Sequence, residues 1–174
     1  MTKEAAMGTE RHDLVVTRVV DAPVEELWRA WTDPDLVKQW WGPEGFTAPA
    51  ARMDVREGAT SLVAMRSPEG QDLYNTWTYE AVDPPNRLVF TTRFADRDGK
   101  AVDPSVQGLP SEMPNEVRTE VVLRDQGGST ELTVTEYDWP AGQMMEMSRM
   151  GLEQTLDKLT ALLTSSGDGP DGSR

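Results

Sequence analysis

The sequence predicts an α+β protein: a curved antiparallel sheet wrapped around a long C-terminal helix, with two short helices after the first strand. Three observations carry this expectation. A β-branched run, Leu14 to Val20, is followed directly by two short helical patterns. Period-2 alternation then recurs in segment after segment, each bounded by Gly, Pro, Asp and Asn clusters. Last comes one amphipathic stripe too long to be anything but a helix.

After Leu14 to Val20, Asp21 offers an N-cap, Pro23 suits a first helical turn, and Glu25 and Glu26 suit the positive end of the helix dipole. A short helix follows through Leu27, Trp28, Ala30 and Trp31 until Pro34 ends it. Asp33 can cap a second, Asp35 to Trp41, which Gly42-Pro43 closes. An irregular strand is expected around Phe46 to Val55, then regular ones at Thr60 to Arg66, Leu73 to Val82 and Arg87 to Phe94. The stretch Asp96 to Asn115 has about twenty residues without period, a length at which loops are usually functional, and reads as a mobile cover outside the sheet. Val117 to Arg124 and Thr130 to Tyr137, joined by the turn Asp125-Gln-Gly-Gly128, read as a hairpin.

Asp138 and Pro140 then suit the start of a helix to Leu163, roughly 36 Å at 1.5 Å per residue, so it must lie across the sheet. Met144, Met145, Met147, Ser148, Gly151, Leu152, Thr155, Leu156, Leu159, Leu162 and Leu163 fall in one half of its wheel. Glu146, Arg149, Glu153, Gln154, Asp157 and Lys158 fill the other, and Met150, on that polar side, has no explanation in the pattern. Residues 1–11 are expected to be a disordered arm and 165–174, which hold no large apolar side chain, a disordered tail, leaving one domain over 12–164.

Composition narrows function by exclusion. Among 174 residues, 17 Lys and Arg face 30 Asp and Glu, a net charge of −13 that opposes nucleic acid and anionic membranes as partners. With no Cys and the single His12 near the N-terminus, thiolate metal sites, disulfides, Cys nucleophiles and His cages are all ruled out. No cofactor is called for, and no phosphate-cradling Gly-rich loop is present. Neither an apolar leader nor a run of about 18 apolar residues occurs, so a cytoplasmic protein without membrane insertion is expected.

Four segments resemble one family: AWTDP (Ala30 to Pro34), WWGPEGF (Trp40 to Phe46), MPNEV (Met113 to Val117) and TLDKLTALL (Thr155 to Leu163). They are similar to homologues of the activator of heat-shock-protein-90 ATPase, within the START-like (SRPBCC) superfamily that also holds plant pollen-allergen proteins and polyketide cyclases. The resemblance covers residues 12–164, and AWTDP followed by WWGP at this spacing is its specific part. It implies a helix-grip fold with an apolar cavity between sheet and C-terminal helix, and it does not fix the ligand, because function is set by the site rather than the scaffold. Three positions depart from the family pattern: an aromatic is usual at Ser61, a Gly at Trp77 and a Trp at Leu152. The indole of Trp77 is therefore expected to fill space that Ser61 and Leu152 leave open.

The expected cavity lining is Trp40, Trp41, Phe46, Val63, Met65, Asn75, Trp77, Tyr79, Phe90, Thr92, Thr119, Val121, Glu136, Met144, Met145, Ser148 and Leu152, taken from strand parity and the helix stripe. Trp28 and Trp31 read as packing between the helix pair and the sheet, while Trp40, Trp41 and Phe46, beside Gly42, Pro43 and Gly45, also suit a gate. Met144, Met145 and Met147 suit either a deformable wall or plain core. Glu136 is the one inward acid. Burial would suit it to proton transfer, whereas the competing reading puts it in solvent at the cavity mouth or against an arginine. Arg18, Arg66, Arg93, Arg118 and Arg124 read as exposed sheet-face residues among Glu neighbours.

Three functions follow. The reading the residues favour is a binding module for a lipid-like, aromatic or polyketide-like small molecule, without covalent chemistry. A cyclase or aromatase would use Asn75, Tyr79 and Glu136, and is weakened by the absence of an evident acid/base pair. A chaperone-type partner is weakened because the eukaryotic activator carries an additional N-terminal domain, whereas 11 residues precede the folded unit here.

Overall fold

The computed structural model describes the chain from residue 10 to 172, with side chains to residue 164. The expected arm 1–11 therefore falls almost wholly outside the described residues, as do the side chains of the expected tail 165–174. Seven antiparallel strands form one sheet: β1 (Arg11–Val20), β2 (Thr47–Arg52), β3 (Thr60–Arg66), β4 (Asp72–Asp83), β5 (Arg87–Ala95), β6 (Glu116–Asp125) and β7 (Thr130–Pro140). Their order is β1-β7-β6-β5-β4-β3-β2, so the sheet is a meander whose last strand returns to pair with the first. Helices α1 (Val24–Thr32) and α2 (Pro34–Trp40) follow β1, and the long α3 (Gln143–Gly172) closes the chain. This is the helix-grip arrangement.

Register shows why one face of the sheet holds the core. Ser61, Val63 and Met65 lie opposite Trp77, Asn75 and Leu73; Asn75, Trp77 and Tyr79 lie opposite Phe94, Thr92 and Phe90. Phe90 faces Thr119, which in turn faces Glu136. Successive side chains alternate between faces, so this set points inward as one surface. Leu27, Trp31, Val37 and Trp40 of α1 and α2, with Leu156, Leu159 and Leu163 of α3, are buried against it.

The helix caps differ in part from expectation. Asp33 caps α2, its carboxylate accepting from Asp35 N at 2.9 Å with Pro34 in the first turn. Asp21 does not cap α1, whose N-cap is Pro23, with no side-chain bond. Asp138 and Pro140 do not start α3. Both belong to β7, Asp138 at a positive φ of 67° and Pro140 opposite Arg11, and the helix begins at Gln143 after Gly142. Proline tolerates that end position because it has no N–H to offer the ladder.

Of the five arginines expected on the exposed sheet face, four form ion pairs on the outer face or at its edge: Arg66 with Asp72, Arg93 with Glu116, Arg118 with Glu80 and Arg124 with Glu131. Arg18 is the correction. It shares the inward parity of Val16 and Val20 and reaches Asp157 of α3 at 3.2 Å. Beside it, Arg149 Nη1 donates to the Val15 carbonyl at 3.2 Å, so α3 is tied along β1. Met150 is exposed, consistent with its place on the polar half of the helix.

The segment between β5 and β6 is more ordered than a bare cover. Ala101 bridges to Ala95, Val102 N donates to Phe94 O at 2.9 Å, and a short 3-10 helix spans Pro104–Gln107. Asp103 caps that helix, and Gln107 Nε2 donates to the Ala95 carbonyl at 2.9 Å. No helix among the described residues is long and apolar enough to cross a membrane.

Candidate functional site

Between the inner face of the sheet and α3 lies a cavity of about 400 Å³, within the range of small-molecule pockets. Strands β3 to β7 supply Met65, Leu73, Asn75, Thr92, Phe94, Val117, Glu136 and Trp139. Helix α3 supplies Met144, Met147, Ser148, Gly151, Leu152 and Thr155. Two loops close the remaining sides: Trp41, Gly42, Pro43 and Phe46 after α2, and Leu109, Met113, Pro114 and Asn115 ahead of Glu116 in β6.

The loop after α2 is held by the polar edge of α3. Lys158 Nζ donates to the carbonyls of Gly42 at 3.0 Å, Pro43 at 3.4 Å and Phe46 at 3.1 Å, and Glu44 N donates to Gln154 Oε1 at 3.2 Å. Burial pushes the Lys158 ammonium below its usual pKa. Gly42 has φ +103°, and a Cβ there would sit 3.0 Å from Phe46 Cβ and 3.3 Å from Met65 Cβ, so the close approach of loop and β3 requires glycine.

Behind this wall lies an aromatic cluster that reaches the cavity only through Trp41. Trp77, fully buried, stacks on Phe90 at 4.8 Å and meets Trp41 edge-on at 5.0 Å; Trp31 meets Trp40 at 4.8 Å. Trp40 donates its indole N–H to the Ala30 carbonyl at 2.9 Å. The indole nitrogens of Trp31, Trp41 and Trp77 are buried without a partner. Trp77 stands directly opposite Ser61, as its expected role requires, but it is Trp41 that separates it from the cavity bordered by Leu152.

Of the expected residues, the structure brings Trp41, Phe46, Met65, Asn75, Thr92, Glu136, Met144, Ser148 and Leu152 to the cavity. Val63, Trp77, Tyr79, Phe90, Thr119 and Val121 share the inward face of the sheet but, with Trp40 of α2 and Met145 of α3, are packed into the core beside the cavity. The lining also includes Trp139, Phe94, Leu73 and the Leu109–Asn115 side, which are not among the expected residues. Phe94 and Leu73 have the right parity, whereas the loop has no period to read.

Glu136 is neither at a strand end nor against an arginine. It lies within β7, deep among protein atoms, with one side turned to the cavity's own space, which leaves it half-buried. Burial pushes its carboxyl up to about 7, and the indole N–H of Trp139, donating to Oε1 at 3.1 Å, holds it from rising further. Tyr79 lies elsewhere. Its hydroxyl pairs with Ser61 Oγ at 2.8 Å, and burial pushes the phenol up to about 12. The three polar residues of a cyclase-type site are thus divided, with Asn75 and Glu136 at the cavity and Tyr79 within the core. No group of three or more His, Asp or Glu able to hold a metal occurs among the described residues.

The sequence model described as "Activator of Hsp90 ATPase homolog 1-like protein" matches residues 21–164. Among solved structures, a protein from Chromobacterium violaceum is similar at 26% identity over 87% of this chain and 96% of its own, with a TM-score of 0.70. A protein from Silicibacter pomeroyi, titled AHSA1, is similar at 24% identity over 89% of this chain and 99% of its own, TM-score 0.71. An Arthrobacter aurescens protein shares the fold at 21% identity over 91% and 92% of the two chains, TM-score 0.73. No curated protein matches.

Proposed function

The chain belongs to the activator of Hsp90 ATPase homolog 1-like family, and from that premise we propose that it is a binding module that holds an apolar small molecule between its sheet and α3. The observation that carries this reading is the cavity itself: about 400 Å³, walled mostly by Met, Leu, Phe, Trp, Val and Pro, with Asn75, Thr92, Ser148 and Glu136 as convergent polar groups. Apolar walls reward a ligand in proportion to the apolar surface it buries, and a few fixed polar atoms set its orientation. No bond need be made or broken for that work.

Native mass spectrometry of the purified protein, searching for a co-purifying small molecule, tests the proposal. A bound species lost in a variant that fills the cavity, Ser148→Phe, is the expected result. A protein that takes up neither a native ligand nor decanol added below its micellar concentration refutes it. A second reading, proton transfer by Glu136, is favoured by its place at the cavity, where burial pushes its carboxyl up. The separation of Tyr79 from the cavity weighs against the cyclase form of it. A heat-shock ATPase as partner rests on the family description alone.

A further inference from the structure

The charge of the lining points to a class of ligand, and the argument rests on the binding role proposed above. Among the described residues, the charged side chains bordering the cavity are Glu136 and Glu116, and no Lys, Arg or His lines it. Glu116 sits at the exposed mouth and pairs with Arg93. Glu136 has no basic partner within ion-pair distance among the described residues, and only its Oε1 is engaged, by the Trp139 indole. The cation that α3 sends toward the same region, Lys158, is already held by three loop carbonyls.

The other polar groups agree. Asn75 turns Nδ2 to the Arg93 carbonyl at 3.3 Å, which leaves Oδ1 as its free acceptor. Thr155 donates its hydroxyl back to the Gly151 carbonyl at 2.8 Å. With Glu136 ionised, the cavity offers the acceptors Glu136 Oε2 and Asn75 Oδ1, with the Thr92 and Ser148 hydroxyls able to donate or accept, beside the aromatic rings of Trp41, Phe46, Phe94 and Trp139. Ring faces attract cations, and a charge-assisted bond to a carboxylate is about twice as strong as a neutral one. An acidic ligand such as a fatty acid would bring a second carboxyl group beside Glu136 with no basic counter-charge, so one of the two would have to stay protonated, whereas an ammonium lets Glu136 ionise against an opposite charge.

We propose that the cavity selects apolar molecules bearing a basic nitrogen, whose ammonium group docks on the Glu136 carboxylate with its apolar body against Met65, Phe94 and Leu152. Glu136 faces Leu14 of β1 and Thr119 of β6 in register, and across the cavity Met144 and Ser148 of α3, so among the described residues no other titratable group competes for that ammonium at depth.

Decylamine, decanol and decanoate, equal in chain length, separate the possibilities when titrated against the full chain at pH 6.5 and moderate salt, with calorimetry as the readout. Decylamine should bind at least about tenfold more tightly than decanol, and decanoate most weakly. Glu136→Gln should reduce the amine-to-alcohol ratio to near one, while Glu25→Gln, which removes one exposed surface charge, should keep it. On the unmodified protein, amine binding should release up to about one proton as Glu136 ionises, and decanol binding none. That measurement stands even if the Glu136 variant does not fold. Equal affinity for amine and alcohol, a preference that persists in Glu136→Gln, or tightest binding of decanoate overturns the proposal while leaving the binding role intact. Failure of decanol and decylamine alike overturns both.

Discussion

Replacing Trp77 tests the packing behind the cavity. The indole is 0% exposed and touches Phe90, Trp41 and Trp31 at centroid distances of 4.8, 5.0 and 6.1 Å. Truncating a buried Trp to Ala generally costs about 3–5 kcal/mol, from lost burial plus the void that remains. Here one term runs the other way. The Nε1–H of Trp77 has no partner, and an unpaired buried donor costs about 1–3 kcal/mol, which any apolar replacement recovers. Trp77→Ala is therefore expected near the low end, about 3 kcal/mol, and Trp77→Phe, which keeps one ring against Phe90, at about 1 kcal/mol or less. Trp77→Gly adds about 0.5–1 kcal/mol of backbone entropy to the Ala value. Urea denaturation followed by circular dichroism measures these differences, with unchanged m-values as the check that the unfolded states are comparable. Equal, large losses for Phe and Ala would show that the indole N–H makes a bond absent from this account. A loss below about 1 kcal/mol for Ala would show that Trp77 is not packed as described.

Four further outcomes are expected. Gly151→Ala should raise stability by about 0.5–1 kcal/mol in thermal melts, since the position is helical and the added Cβ would stand 3.8 Å from Pro43 Cγ, an ordinary contact. Glu136 binds its proton more tightly folded than unfolded, so its contribution to stability is fullest below its unfolded pKa of 4.5 and declines as pH rises toward about 7. The decline is at most about 3 kcal/mol, less where cavity water screens the charge, and denaturation at pH 4.5 and 8 should show it in the native protein and not in Glu136→Gln. Lys158→Met should speed amide exchange at Gly45 and Phe46 several-fold, because it removes three bonds that anchor their loop to α3. Decanol should slow exchange across Leu109–Asn115, the side of the lining that the loop before β6 supplies.

Strand positions were legible where one face is apolar and the other charged. Strand β6, Glu116–Asp125, lies within one residue of its expected bounds because period 2 leaves a single register that buries Val117, Val121 and Leu123 and exposes Arg118 and Arg124. Inward parity alone, however, does not distinguish a residue at the cavity from one in the core. Asn75 and Trp77 share a face and a strand, yet Trp77 is covered by Trp41 from a loop whose path no periodicity records. Met144 and Met145 differ by one 100° step, so one borders the cavity and the other is buried in the core. The start of α3 was misplaced because Asp138 and Pro140 are helix-start residues by type, while the pairing of β7 with β1 prolongs the strand through both. Local preference is a weak signal where tertiary pairing supplies the bonds. Glu136 was visible as an inward acid, but the indole that holds it comes three residues later on the same strand and carries no spacing signature.

The ties between α3 and β1 bear on a different property, the behaviour of many copies of this chain together. A sheet that does not close on itself has two free rims, and an unpaired rim is a template on which another chain can add a strand. At one rim β2 is short and carries Pro49, which cannot donate to an incoming partner. At the other, β1 runs ten residues and exposes Val15 and Val19 on its outer face. What guards it is the charged flank of α3, with Arg149 on the Val15 carbonyl and Asp157 on Arg18. The helix that roofs the cavity thus also occupies part of this rim. An opening wide enough to lift it from the sheet would free the Val15 carbonyl and bare the inward Leu14 and Val16, so cavity access and the exposure of this rim are physically coupled through the same helix.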